Sequence, residues 1–449
     1  MNGRLCRNTP FTITSVLGEG AYGKVYEAKN NKTNDKYAVK STFYEVFAQD
    51  ASSIFETIPK SGVTYNRLIK LLNNKGYDLD LFETANRQLK NTQARVYPNT
   101  KLWISDNFIL AYFKDVDVYD RSHKMILATI KNFEIIDDFE AEYIFDIYVT
   151  KILHMGLCIN FVETFYHFTC FDSQVVKKFN QYVVKEILDE NISNTHRIAD
   201  LHHNREDIEA SLAVQIFFAI GCLNYYLGAT HNDLHGDNIL VKKIDQNMTY
   251  NGTKLIDCDY FHYRIFGIDI YIPKAIACIF KISDLGLAIK WVDRPMMAYN
   301  TRKFIDELYG NILYDVLRIT HNILGRDSFP GISDGSKGGN RSIFYDIFKY
   351  FTGVDYVNGQ TFDDTNSRRL IEDITSGNNN SDYAKSLRSS GRKVVFDVLD
   401  INQPEYIPAI NILTKSKIFE KYRYKDNEKP KGKIATLGVI DSMFLEDMQ

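Results

Sequence analysis

At 449 residues and 45% hydrophobic composition, the chain can bury one large core or two of ordinary size. Its 54 Lys and Arg against 57 Asp and Glu leave a net charge of -3, so no strong field directs it to nucleic acid or to a membrane surface. Six cysteines, at 6, 158, 170, 222, 258 and 278, form no CxxC pair, which argues against a zinc ribbon or a disulfide framework and for reduced thiols inside a cell.

The start, "MNGRLCRNTPFTI", lacks the apolar run of a signal peptide, and an intracellular, cytoplasmic location is expected. The stretch "IFGIDIYIPKAIACIF" contains Asp269 and Lys274 and is too short and too charged for a membrane segment. Strand grammar comes first: "FTITSVLGEGAYGKVYEAKN", a polar turn, then "YAVK". Gly18, Gly20 and Gly23 form a GxGxxG run that continues as strand, not helix. It therefore reads as a hairpin whose backbone N–H groups can close over phosphates. Lys40 ends the next strand, where an ammonium could neutralise phosphate oxygens. A plain glycine turn with an exposed lysine is the other reading of this segment alone.

A large insertion, about residues 45–130, follows. It mixes helix-like "NRLIKLLNN" with strand-like "DNFILAYFKDVDVYD", and "ATIK" beyond it, ending at Lys131, has no glycine loop before it. "DDFEAEYIFDIYVTKILHM" reads as a helix. There Glu140 shares an apolar face with Tyr143, Ile144 and Ile147, and Glu142 is the second choice on that helix. "NFVETFYHF" and "NQYVVKEILDE" read as strands, and "DIEASLAVQIFFAIGCLNYYLGA" as an apolar helix. That helix delivers "HNDLHGDNIL", in which His231, Asp233 and Asn238 fit HxDxxxxN. The short spacing keeps a proton acceptor beside a metal ligand. Zinc is a poor reading of the two histidines, since no cysteine or third histidine stands at ligand spacing. After an enlarged hairpin with an Asn-Gly turn, residues 241–280, "FKISDLGLAIKW" sets Asp284 between a short apolar strand and a glycine. "LYGNILYDVLRITHNIL" is apolar at helical spacing, with Asp315 inside it. The stretches "GRDSFPGISDGSKGGNRS" and "TSGNNNSDYAKSLRSSGRK" read as mobile surface loops, and "KYRYKDNEKPKGK" as a solvated linker to a short apolar end.

In this order the glycine loop, "YAVK", "HNDLHGDNIL" and "FKISDLGLA" resemble the eukaryotic-type protein kinases. The large insertions and the wording of the loop look most like the divergent serine/threonine kinases of large DNA viruses, which would place the protein in a host cell or virion. The resemblance implies an α+β, bilobal fold. Its small β-rich lobe would cover 1–186 with the 45–130 insertion, its mainly helical lobe 187–425, and a tail 426–449. It also implies ATP and Mg²⁺ as cofactors and protein substrates as partners. Asp233 would be the catalytic base, and Lys40 would contact the α- and β-phosphates. Asn238 and Asp284 would be the metal ligands. Nucleotide-contacting positions would be Gly18, Glu19, Gly20, Ala21, Tyr22, Gly23, Val25, Ala38 and Glu186, with Glu140 pairing with Lys40. His231 would brace the loop, His235 is unassigned, and Asp315 would hold the loop backbone or else be a solvated helix aspartate.

There are departures from the family. Asn232 stands where most regulated members carry the arginine that pairs with an activation-loop phosphate. Leu285 replaces a phenylalanine, and no "APE" follows. Asn238 and Asp284 stand 46 positions apart (284 − 238), far more than the family has, and Asp257 in "KLIDCDYF" competes with Asp284. Two rival functions are a small-molecule kinase of the aminoglycoside or choline kinase type and a non-catalytic pseudokinase scaffold.

Overall fold

The structure is a computed structural model that describes residues 9–20, 23–45, 101–105, 108–112, 118–119, 126–127, 134–136, 138–171, 178–192, 205–290, 296–298, 312–325, 342–356, 380–388, 404–424 and 428–444. It is an α+β chain in two compact units. The first comprises 1–144, 164–187 and 293–303, and the second 145–163, 188–292 and 304–449.

In the first unit, strands β1 (Phe11–Gly20), β2 (Gly23–Asn30) and β3 (Lys36–Glu45) form an antiparallel meander. The glycine-rich hairpin runs out to the pair Gly20↔Gly23, and Gly23 has φ +142°, a backbone that side-chain-bearing residues rarely adopt. Helix α1 (Asp138–His154) begins in this unit, and strands β4 (Thr164–Phe171) and β5 (Lys178–Lys185) complete the sheet in the order β1-β2-β3-β5-β4. Alternation along a strand sends successive side chains to opposite faces. Val39 thus joins Phe11, Ala28, Tyr182 and Val184 in a buried cluster, while Ala38 and Lys40 point the other way. Of the expected insertion, the described parts include Lys101–Ser105 and Phe108–Tyr112, an antiparallel pair. The helix-like "NRLIKLLNN" and Lys131 lie outside the described residues.

The second unit is organised around α2 (Arg205–Leu227), in which every residue from Ile208 to Leu227 is buried. Among the described residues it is the one helix long and apolar enough to cross a membrane, and it is a core helix here. Strands β6 (Ile239–Lys243), β7 (Tyr260–Ile265), β8 (Ile268–Pro273) and β9 (Cys278–Ile282) follow. β6 pairs antiparallel with β9, and 244–277 is carried as an excursion between them. Within it the expected Asn-Gly turn is present. Asn251 and Gly252, at φ +47° and +75°, close Thr249–Tyr250 onto Thr253–Lys254, and Phe266 and Gly267 close β7 onto β8 in the same left-handed way.

Helices α3 (Ile312–Gly325), α4 (Ile343–Thr352), α5 (Asp382–Arg388) and α6 (Pro408–Lys415) follow. Buried Glu209 of α2 accepts from Ser342 Oγ and the Ile343 backbone N–H, each at 2.8 Å, and so caps the start of α4. Two expectations are corrected here. Part of the stretch read as a mobile loop is α5, whose entry is fixed by Ser381 Oγ accepting from Ala384 N and whose Tyr383 and Ala384 are buried. The stretch read as a tail beyond 426 returns as β11 (Ile434–Ile440). It pairs parallel with β7 in a sheet ordered β10-β8-β7-β11, with β10 the pair Arg423–Tyr424.

Gly438 in β11 lies at a bulge and faces Phe218 of α2, and a Cβ there would overlap the buried Phe218 ring. Gly438→Ala is therefore expected to lower unfolding free energy by about 1–3 kcal/mol, the usual cost of overpacking. Urea denaturation measures it.

The same sheet predicts a pH response. His262 Nδ1 meets Thr436 Oγ1 at 3.0 Å and Nε2 meets Asp269 Oδ1 at 2.9 Å, while Arg264 Nε donates to Asp269 at 2.8 Å. Burial holds the His262 imidazole below its ordinary value of 6.5 despite the neighbouring carboxylate. Burial pushes the Asp269 carboxyl up, but the hydrogen bonds from Arg264 and His262 outweigh it and hold the group below 3.8. Both folded values lie below the unfolded ones, so the unfolded chain binds more protons as pH falls. Stability is expected to decline in two stages as pH drops, below 6.5 for His262 and below 3.8 for Asp269. His262→Gln should remove the first stage in a series of urea midpoints against pH.

Candidate functional site

Both ends of "HNDLHGDN" are tied to the segment that carries Asp284. Ala229 and Thr230, which enter the loop, pair antiparallel with Lys290 and Ile289. β6, which leaves it, pairs with β9 in the register Ile239↔Ile282. Residues 231–238 and 283–288 are thus two facing loops held between two ladders. The second ladder is what cancels the separation of 46 positions: Ser283 donates to the Asn238 carbonyl from its backbone N–H at 2.9 Å and from Oγ at 3.1 Å. Asp257 is exposed in a 3-10 turn of the excursion. This register brings Ser283, and with it the segment that carries Asp284, to the end of the loop at Asn238.

Inside the loop His231 and Asn232 are held by named partners. His231 is fully buried, its Nδ1 accepts from the Asp233 N–H at 3.2 Å, and its Nε2 donates to the Ser283 carbonyl at 2.9 Å. Those two bonds fix the orientation of the ring, with Nε2 directed at the Ser283 carbonyl. Asn232 has φ +66°, and its side chain donates to the Leu287 carbonyl at 2.9 Å. The other non-glycine residues with positive φ among those described are Asn34, Asn251, Phe266 and Asp284, the last at φ +59°. Asn34, Asn251 and Phe266 lie in strand-connecting turns, whereas Asn232 and Asp284 lie one on each of the two loops. Left-handed backbone at Asn or Asp costs little and often marks a site whose geometry is imposed.

One face of α3 holds the loop from beneath. Asp315, fully buried, accepts from the backbone N–H groups of His231 and Asn232, each at 2.7 Å. It is the loop-holding aspartate rather than a solvated one. Burial pushes its carboxyl up, against the opposing pull of His231, the two N–H donors and Arg318. One turn on, Arg318 Nη2 donates to Asp233 Oδ1 at 2.6 Å and Nη1 to the Asn232 carbonyl at 3.1 Å. A further turn on, Asn322 Oδ1 accepts from Gly236 N at 2.9 Å. Spacings of three and four place 315, 318 and 322 on one stripe. Sequence reasoning found Asp315 and missed Arg318 and Asn322. Their signal was the spacing of three and four from Asp315 along a mostly apolar helix.

Asn238 Nδ2 donates to the Asp233 carbonyl at 2.8 Å, which leaves Oδ1, its only cation-binding atom, accepting no hydrogen bond among the described residues. Among the described residues no group of three or more His, Cys, Asp or Glu is placed to hold a metal ion. An amide oxygen and one carboxylate fit Mg²⁺, which usually takes one or two protein oxygens and completes its shell with water and phosphate.

The first unit holds a second constellation. Lys40 Nζ bonds Glu142 Oε2 at 2.7 Å, and Lys185 Nζ bonds Glu142 Oε1 at 2.8 Å. The expectation that Glu140 pairs with Lys40 is corrected: the partner is Glu142, and the Glu140 side chain lies outside the described residues. The face had been read from Tyr143, Ile144 and Ile147, but Ile147 is 45% exposed, and the buried stripe is Glu142, Phe145, Val149 and Ile152. Across the sheet Lys40 is flanked by Val25 and Val183, and Ala38 by Lys185. Gly18 pairs with Val25, Glu19 makes an exposed ion pair with Lys24 at 3.1 Å, and Glu186 follows the last residue of β5. Ala21 and Tyr22 lie outside the described residues. No protein-family model matches the chain, and no curated protein sequence matches it either.

Proposed function

We propose that the chain is an ATP- and Mg²⁺-dependent protein kinase, bilobal in fold, that transfers the γ-phosphate of ATP to serine and threonine hydroxyls of protein substrates inside a cell. The observation that carries this reading is the pair of ladders that brings Asp233, Asn238 and Asp284 onto two facing loops. In the proposed reaction Asp233 orients the substrate hydroxyl and takes its proton at Oδ2, the oxygen not bonded by Arg318. Asn238 and Asp284 would hold Mg²⁺, which when bound neutralises charge on the phosphate. Lys40, oriented by Glu142, supplies a fixed ammonium for phosphate oxygens, and the β1–β2 hairpin supplies backbone N–H groups.

The bond from Asn232 to the Leu287 carbonyl supports activity without an activating phosphate. A neutral amide replaces the cation that would need one, and it already ties the catalytic loop to the segment after Asp284. Incubation of the purified chain with γ-labelled ATP, Mg²⁺ and a mixed protein substrate tests the function. Label on protein serine and threonine is the expected result. Label only on small molecules would favour the aminoglycoside or choline kinase type, and no transfer at all would favour a scaffold.

A further inference from the structure

Arg318 is not required by any part of the reading above, yet it makes the shortest described contact to the proposed base, 2.6 Å from Nη2 to Asp233 Oδ1. Its other terminal nitrogen, Nη1, donates to the Asn232 carbonyl at 3.1 Å and to Tyr314 Oη at 2.8 Å. The guanidinium carbon also lies 5.6 Å from the centre of the Tyr314 ring. One rigid fork therefore holds both the backbone that precedes Asp233 and the side chain of Asp233 itself, and Tyr314 in turn holds the fork. The same helix presents Asp315 to the N–H groups of the loop. The loop is gripped through its donors by a carboxylate and through its acceptors by a cation one turn away.

From this geometry we infer that Arg318 is the positioning residue of the catalytic base. It fixes the Asp233 carboxylate with Oδ1 engaged and Oδ2 presented to the acceptor hydroxyl, so the cation that orders the loop is built into α3. This rests on the kinase reading. A planar, bidentate guanidinium can span Oδ1 and the Asn232 carbonyl together, whereas an ammonium can act only as a point charge. Arginine is therefore required in shape as well as in charge. Near-attack orientation of a reacting group is worth orders of magnitude in rate, and a small rotation of the carboxylate forfeits part of it. Among the described residues the other groups against Asp233 are His235, with Nε2 3.7 Å from Oδ2, Asn238 on its backbone carbonyl, and His231 Nδ1 on its backbone N–H. None of them contacts Oδ1.

The test is a double-mutant cycle in single-turnover phosphoryl transfer, with ATP affinity and thermal midpoint measured for each variant. Arg318→Met in the wild-type background is expected to lower the transfer rate by about 10- to 100-fold with the Kd for ATP within a few-fold. Arg318→Lys should recover part of that loss, and Tyr314→Phe should cost a few-fold. In an Asp233→Asn background, Arg318→Met should add little, because its effect passes through the carboxylate. Equal losses in both backgrounds, or no loss in either, would overturn the inference while leaving the kinase reading intact. A wild type that transfers no phosphate would overturn the kinase reading and this inference with it.

Discussion

Asp233→Asn and Asp284→Ala are each expected to reduce phosphoryl transfer by about 10²–10⁴-fold while the fold persists. Asp233 lies on a loop whose backbone is held independently by Asp315 and Asn322, so an amide there removes the proton acceptor without removing the frame. Asp284 follows Ser283, which is anchored to Asn238, and is the one carboxylate between residues 283 and 288. Asp257→Ala is the internal control, since Asp257 is exposed on the excursion, and its activity should stay within a few-fold of wild type. Transfer rates and thermal midpoints of the three variants, measured side by side, check the assignment. An inactive Asp257 variant beside an active Asp284 variant would reverse it.

Glu142→Gln is expected to be strongly damaging to the first unit. The Glu142 side chain is 4% exposed and neutralises two ammonium groups, those of Lys40 and Lys185, which are 15% and 11% exposed. Removing one partner of a buried ion pair costs about 3–5 kcal/mol. Here one substitution strips two cations of the same carboxylate. The fall in denaturation midpoint should be accompanied by loss of transfer, because Lys40 is no longer oriented. The double variant Lys185→Met with Glu142→Gln should regain part of the stability and none of the activity, which separates the structural from the functional share of the effect.

The parts of this molecule that were legible in the sequence are those whose cause is local. The glycine hairpin, strands β3 to β5, the apolar helix α2 and the Asn-Gly turn all follow from alternation, periodicity or turn chemistry within a few residues. The choice of Glu140 over Glu142 failed because α1 carries apolar residues on more than one side, so helical spacing alone did not fix which side is buried. What places Asp284 beside Asn238 is a ladder between residues about forty positions apart, and no short-range signal encodes that register. The end strand β11 was read as a tail because its partner, β7, lies far upstream within an excursion. Arg318 went unread because an arginine in a helix is ordinarily a solvated one, and only the fold shows that this one points at the loop.

The most direct measurement of the central claim is the stoichiometry of a single turnover. The wild-type chain, γ-labelled ATP, Mg²⁺ and a protein acceptor are mixed, and ADP and phosphoprotein are followed together. The proposed chemistry moves one γ-phosphate to one hydroxyl, so the two products should appear at the same rate and in equal amounts, and chelation of Mg²⁺ should stop both. ADP formed without phosphoprotein, or neither product formed by a folded chain, would contradict it.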